Sequence, residues 1–215
     1  STQIDERGVY SFCMCPGGIV IACASSREML TTNGMSLSQR DTEFGNAAFL
    51  APVRPDDIPQ SSDDDPAILD GYKFQETIEQ LAFQGGGSDY GLPACRLRDF
   101  LAGTVSAQLP EKRSVRRAVP ADIRKILPAF ICDTLAHAIP KMLKQLSVNS
   151  YEEVLLYAAE TRSSSPIRIT RSKEGYSPGV HGLIPCGEGA GYAGGIVSAG
   201  IDGLKAAETI IKSYN

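Results

Sequence analysis

Histidine is scarce in this chain: His137 and His181 are its only two, and they stand far apart. Six cysteines, at positions 13, 15, 23, 95, 132 and 186, add no second ligand pair at usable spacing, so a four-ligand zinc site is not expected. Their spacing also gives no disulfide framework, and they read as reduced thiols of a cytoplasmic protein. An excess of positive charge is missing as well. Lys and Arg number 21 against 25 Asp and Glu, for a net charge of −4 and a pI near 5.3. That excludes a general nucleic-acid or anionic-membrane surface. No apolar run approaches the roughly 18 residues of a membrane span. The longest, Gly18 to Ala24, suits one buried strand. No leader and no initiator Met precede Ser1, so a trimmed or processed chain is expected.

What the chain does have is enough length and apolar content for a core: 215 residues, 42% hydrophobic. Val9–Phe12 and Ile19–Ala24 read as strands. The Cys13-Met14-Cys15-Pro16-Gly17-Gly18 stretch between them carries turn residues, so a hairpin is predicted. Cys13 and Cys15 there are either a redox pair or two small side chains beside a turn. Asn33-Gly34 predicts another turn, and Ala47–Val53 a third strand. The acidic, Pro-containing stretch 56–66 reads as a solvated linker. Apolar spacing then becomes helical at Tyr72, Phe74, Ile78, Leu81 and Ala82, ending at Gly85-Gly86-Gly87. A short helix is predicted from Arg96 to Leu101, closed by Gly103. Ala121 to Leu146 is the largest helical region, with Pro128 and Pro140 each expected to begin a new helix. His137 is expected to be partly buried there. Lys112, Arg113, Arg116, Arg117, Arg124 and Lys125 form a basic cluster that reads as a solvated face, since no aromatic residues interleave for base stacking. Strand character returns at Val154–Glu160 and Ile167–Thr170. The loop between them, Thr161-Arg162-Ser163-Ser164-Ser165-Pro166, sets an Arg beside three hydroxyls. Such a group either holds an anion or polarised carbonyl, or is a serine-rich turn with Arg162 paired to Glu160. The expected fold class is α+β. The segments are a β-rich domain (1–55), the linker (56–66), a helical insertion (67–148), a return to the β-rich domain (149–180) and a closing strand, glycine loop and helix (181–215).

Gly189, Gly191 and Gly194 spell G-x-G-x-x-G between an apolar run and a helical segment reaching about Ser213. Such glycines let a cofactor approach the backbone, and a helix start aims N–H groups at an anion or an electron-rich carbonyl. Glu188 would repel a phosphate but suits sugar-type hydroxyls. A phosphate loop would also need a Gly-Lys-Ser/Thr ending that is absent. The chain ends 21 residues after Gly194, too soon for the second strand and acidic residue of a dinucleotide fold. The motif is therefore expected to be the last strand and helix of a fold rather than its beginning, and it reads either as a flavin-dinucleotide type of cofactor contact or as a glycine-rich turn where a helix packs tightly on a sheet.

Four stretches carry a resemblance. They are Tyr10–Gly18, Asn33–Ser36, Glu160–Ile169 and Gly187–Ala199, and in this order they resemble the predicted FAD-dependent, or NAD(FAD)-utilizing, dehydrogenases of bacteria and plastids. The resemblance implies the C-terminal part of a flavoprotein oxidoreductase, ending in the last strand and helix of an incomplete Rossmann-like FAD domain. It implies that Gly187 and Glu188 contact the ribityl and pyrophosphate region of FAD, with Gly189 and Gly191 in the same loop. Gly194, Gly195 and Ile196 would lie at the helix start near the flavin ring. Arg162, Ser163 and Ser164 would face the flavin or the substrate, with Cys13 and Cys15 on that side too. FAD and a small-molecule substrate are the implied ligands, with a nicotinamide nucleotide as a further electron partner. This part alone is expected to lack flavin and activity. The alternative is a non-catalytic module that binds a nucleotide-like ligand or a protein partner. A third expectation is self-association through whatever face an absent half would cover.

Overall fold

The computed structural model describes residues 1–60, 67–148 and 150–213. The second half of the expected linker, 61–66, lies outside the described residues. Helices and strands are mixed, so the chain is α+β. It forms two compact units: Ser1–Asp57 with Glu76–Thr161, and Ile58–Gln75 with Arg162–Asn215.

The first unit opens with five strands. They are β1 (Thr2–Ile4), β2 (Arg7–Cys15), β3 (Gly18–Cys23), β4 (Thr31–Ser36) and β5 (Asn46–Leu50). β2 and β3 do not form the predicted hairpin. β2 pairs antiparallel with β1 and β5, while β3 pairs antiparallel with β4. A register shift between Phe12 and Cys15, with Cys13 at a φ of 47°, bends β2 at the point where the hairpin would begin. Gly34 likewise sits inside β4 rather than at a turn. A Cβ on Gly34 would stand 2.2 Å from Asn46 Oδ1, so this glycine makes room for a neighbouring side chain.

The 67–148 span carries α1 (Asp70–Gly85), α2 (Leu97–Ala102) and α3 (Ala129–Gln145), as helical spacing predicts. It also carries β6 (Leu92–Arg96) and β7 (Ala118–Pro120), which sequence reading missed. β6 pairs with β7 in parallel and with β8 (Leu155–Tyr157) antiparallel. Leu92 through Cys95 are all buried, so β6 shows none of the alternation that marks a half-exposed strand. Pro140 does not start a new helix; it lies inside α3. A proline there removes one helical hydrogen bond and costs about 3 kcal/mol. Burial of its neighbours Ile139, Met142 and Leu143 offsets that cost at about 1.5–3 kcal/mol each. Ile131, Cys132, Leu135 and Ala138 complete the buried face of α3, which packs on β1, β2 and β5. Ion pairing of Arg7 with both Asp57 oxygens, at 2.7 and 2.9 Å, ties β2 to the chain beyond β5.

The second unit has one long helix, α4 (Ile196–Ser213). Strands predicted at Ile167–Thr170 and ahead of the glycine loop are absent among the described residues. Their backbone groups go elsewhere: Ile169 N–H donates to Ala190 O at 3.2 Å, and Ser177 N–H to Leu183 O at 2.8 Å. A strand needs a neighbour to pair with, and no ladder partner for these segments is among the described residues.

Candidate functional site

The glycine loop is fixed by a carboxylate that sequence reading passed over. Asp202, on the polar side of α4, accepts both arms of the Arg171 guanidinium at 2.9 and 2.8 Å. Its Oδ2 also accepts the Gly187 N–H at 2.9 Å. These bonds, the Arg171 pair first and Gly187 second, hold the Asp202 carboxyl down at about 2. Arg171 donates again to Pro185 O at 2.8 Å, and its guanidinium lies 3.6 Å from the centre of the Tyr192 ring. Tyr192 in turn donates from its hydroxyl to Ile169 O at 2.9 Å. Arg171 is thus a hub joining the segment before the loop, the loop itself and α4. Its signal in the sequence was faint, because an acid and a base far apart in a charged chain look like solvated residues.

Within the loop the glycines have different duties. Gly187 has a φ of 75° and Gly191 a φ of 81°. A Cβ on Gly191 would stand 2.5 Å from Ile167 O, so that position serves the loop's own packing. Gly191 N–H donates to Glu188 O at 2.9 Å and Tyr192 N–H to Gly187 O at 3.0 Å, closing a tight turn. Gly189 and Gly194 are different: a Cβ on either would meet nothing within 4 Å. No internal contact explains why these two lack side chains. Glu188 is half-buried, and its carboxylate makes no hydrogen bond or ion pair among the described residues. α4 begins at Ile196, directly after Gly194 and Gly195, so its unsatisfied N–H groups open onto the loop.

α4 itself is unusual. None of its side chains is buried. Ile196 is 93% exposed, Val197 74%, Leu204 68% and Ile211 61%, with Ile201 and Ile210 also exposed. These residues share one broad helix face, since positions 197, 201, 204 and 211 recur at helical spacing. The polar face is the one engaged, through Asp202.

Arg162, exposed, with Ser163 half-buried and Ser164 exposed, belongs to the same unit as the glycine loop. Cys13, exposed, and Cys15, half-buried, belong to the other unit. Cys15 Sγ lies 3.5 Å from Cys13 O. Among the described residues no group of three His, Cys, Asp or Glu is placed to hold a metal. No described helix is long and apolar enough to cross a membrane. His137 is exposed rather than partly buried, its Nδ1 lying 2.7 Å from Asp133 O. Much of the basic cluster has structural duties. Arg113 caps carbonyls of its own loop, Arg117 pairs with Asp89, and Arg124 with Asp133 and Phe100 O.

Residues 1–163 match the family described as "FAD-dependent protein, C-terminal domain-like", and the chain belongs to that family. The chain is also similar to a protein of Clostridium beijerinckii described as uncharacterized, at 39% identity over 218 residues. That match takes in 98% of this chain but only 39% of the relative's length.

Proposed function

We propose that this chain supplies part of the flavin site of an FAD-dependent oxidoreductase, with the remainder furnished by protein beyond these residues. The observation that carries the reading is the glycine loop before α4. Glu188 has an uncommitted carboxylate, Gly189 and Gly194 leave open backbone with no internal need for it, and the helix start adds unsatisfied N–H donors. Those groups fit a flavin dinucleotide. A carboxylate accepts from ribityl hydroxyls, and helix-start N–H groups donate to a ring carbonyl oxygen. Family membership and the short coverage of a longer relative support the same reading.

In this proposal FAD supplies the two-electron redox chemistry. The chain's own groups bind and orient. Arg171 and Asp202 hold the loop in its shape, so Glu188 and the α4 start meet the cofactor without reorganising. The positive end of α4 favours negative charge near Gly194-Gly195-Ile196 by about 0.3–2 kcal/mol. Arg162, Ser163 and Ser164 are proposed on the substrate or flavin side. Cys13 and Cys15, in the other unit, are proposed as further candidates for substrate or flavin contact. The bare face of α4 is proposed to pack on a Rossmann-like half that completes the FAD domain, the last strand of which residues 183–186 would join. A small-molecule substrate and a nicotinamide nucleotide are the proposed reaction partners.

Glu188→Ala in the longer protein tests the role of the loop. The expected result is a loss of bound FAD on gel filtration while the fold, read by circular dichroism, is kept. FAD retention equal to the parent protein's would remove Glu188 from the site.

A further inference from the structure

Cys13 lies inside the register shift of β2 and Cys15 at its end. The shift leaves one more residue on β2 than on β5, and Cys13 takes its left-handed φ of 47° there. Cys13 is exposed and Cys15 half-buried. Cys15 Sγ turns back along the chain to lie 3.5 Å from Cys13 O. Two residues of strand advance about 6.5 Å. That is within the Cα separation of about 4.4–6.8 Å that a disulfide spans. The two thiols are therefore close enough in the chain to join, and the Cys15 thiol is already turned toward its neighbour.

Cys15 also has a polar companion. Asn46 on β5 is its register partner. Two glycines open the space that the pair occupies. A Cβ on Gly18 would stand 2.9 Å from Cys15 Cβ and 2.7 Å from Asn46 Nδ2. One on Gly34 would stand 3.5 Å from Cys15 Sγ and 2.2 Å from Asn46 Oδ1. The Asn46 carboxamide and the Cys15 side chain thus lie together in one gap. Asn46 Nδ2 is buried there with no hydrogen-bond partner among the described residues. A buried donor without an acceptor is unusual and asks for one. A thiolate on Cys15 is an acceptor that this gap can supply. Two other thiols of the same unit are different. Burial pushes Cys95 up to about 12 and Cys132 up to about 11, so both stay protonated near neutral pH.

We propose that Cys13 and Cys15 form a thiol–disulfide exchange site for small-molecule disulfides, with the Asn46 amide as hydrogen-bond donor to the Cys15 thiolate. The site lies wholly within the first unit and does not rest on the flavin reading. Cys13, the more exposed thiol, releases its proton to water, and its thiolate attacks one sulfur of the incoming disulfide. That S–S bond breaks, one small thiolate leaves and takes up a proton, and a mixed disulfide forms on Cys13. Cys15 then releases its proton, attacks Cys13 Sγ and expels the second small thiolate, which is protonated in turn. Two protein thiols lose two electrons and two protons, and the small disulfide gains both as two thiols.

The 215-residue chain, incubated with oxidised glutathione, quenched in acid, unfolded and alkylated, tests this by peptide mass spectrometry. The peptide holding Cys13 and Cys15 should carry no alkyl group and be lighter than its reduced form by two hydrogens. Cys95 and Cys132 should be alkylated in full. Cys186, with no other cysteine near it in the sequence, should stop at the mixed disulfide. Cys13 and Cys15 both alkylated, or held as lasting mixed disulfides, would overturn the proposal without any variant. In urea the same pair should close more slowly than in the folded chain. Equal rates would show that the fold contributes nothing, and would overturn it too. Cys15→Ser should trap glutathione on Cys13. Asn46→Ala should slow closure of the ring by about tenfold, the effect of losing one hydrogen bond to a charged group. Closure at the parent's rate in a folded Asn46→Ala chain would remove the amide from the site.

Discussion

At the scale of single residues, the chain's carboxylates divide by what their environment does to them. Asp202 is held ionised by Arg171 and the Gly187 N–H, so its folded-state value lies below its ordinary one. Its stabilising contribution is present above the ordinary carboxylate range and is lost as pH falls toward about 2. Glu160 behaves oppositely. Its value is raised, so the folded state favours the neutral acid, and stability declines as pH rises from the ordinary range through about 7. Glu160→Gln should therefore raise the unfolding free energy at about pH 8, by on the order of 1–3 kcal/mol, and change it little at about pH 5. Urea titrations at the two pH values check this; an equal effect at both would contradict it. The glycines divide in the same way. Gly191→Ala should destabilise the second unit by about 1–3 kcal/mol, because a Cβ strikes Ile167 O and the backbone is left-handed. Gly189→Ala should leave stability unchanged, since it meets nothing. In the longer protein the same change should weaken FAD retention. Thermal melts and bound-flavin absorbance separate the two.

At the scale of elements, α4 and its lock carry the account. Asp202→Asn should free the loop, and the Gly187 amide should exchange with solvent faster by hydrogen-exchange mass spectrometry. Unchanged protection would mean that Arg171 alone fixes the loop. The elements also show what a sequence makes readable. α1, α3 and α4 were legible, because the helical period is a local property of the chain. β6 was hidden since full burial erases alternation. The β2–β3 hairpin was misread because Pro and Gly signal a bend without saying which strands pair across it; Asn46 and β4 decide that from a distance. The strands expected at 167–170 and before the glycine loop need a ladder partner, and pairing is not a local property. The glycine spacing and Glu188 were visible as residue types. Arg171 and Asp202, which shape the loop, lie 31 positions apart and gave no local signal.

At the scale of the whole molecule, the apolar face of α4 is the feature that the 215 residues leave unexplained by themselves. A helix with no buried side chain and six exposed large hydrophobic residues is stable in a longer protein only when something covers it. Leu204→Lys should then be tolerated in the 215-residue chain, where that side chain is already exposed, and should destabilise the longer protein by about 2–4 kcal/mol. Parallel denaturant titrations of both lengths decide it, and equal effects would show that the face stays bare. The visible spectrum tests the central claim most directly. The longer protein, purified and incubated with FAD, should emerge from gel filtration yellow, with flavin absorption at one FAD per chain, while the 215-residue chain emerges colourless. A well-folded longer protein that emerges colourless from the same treatment would contradict the account.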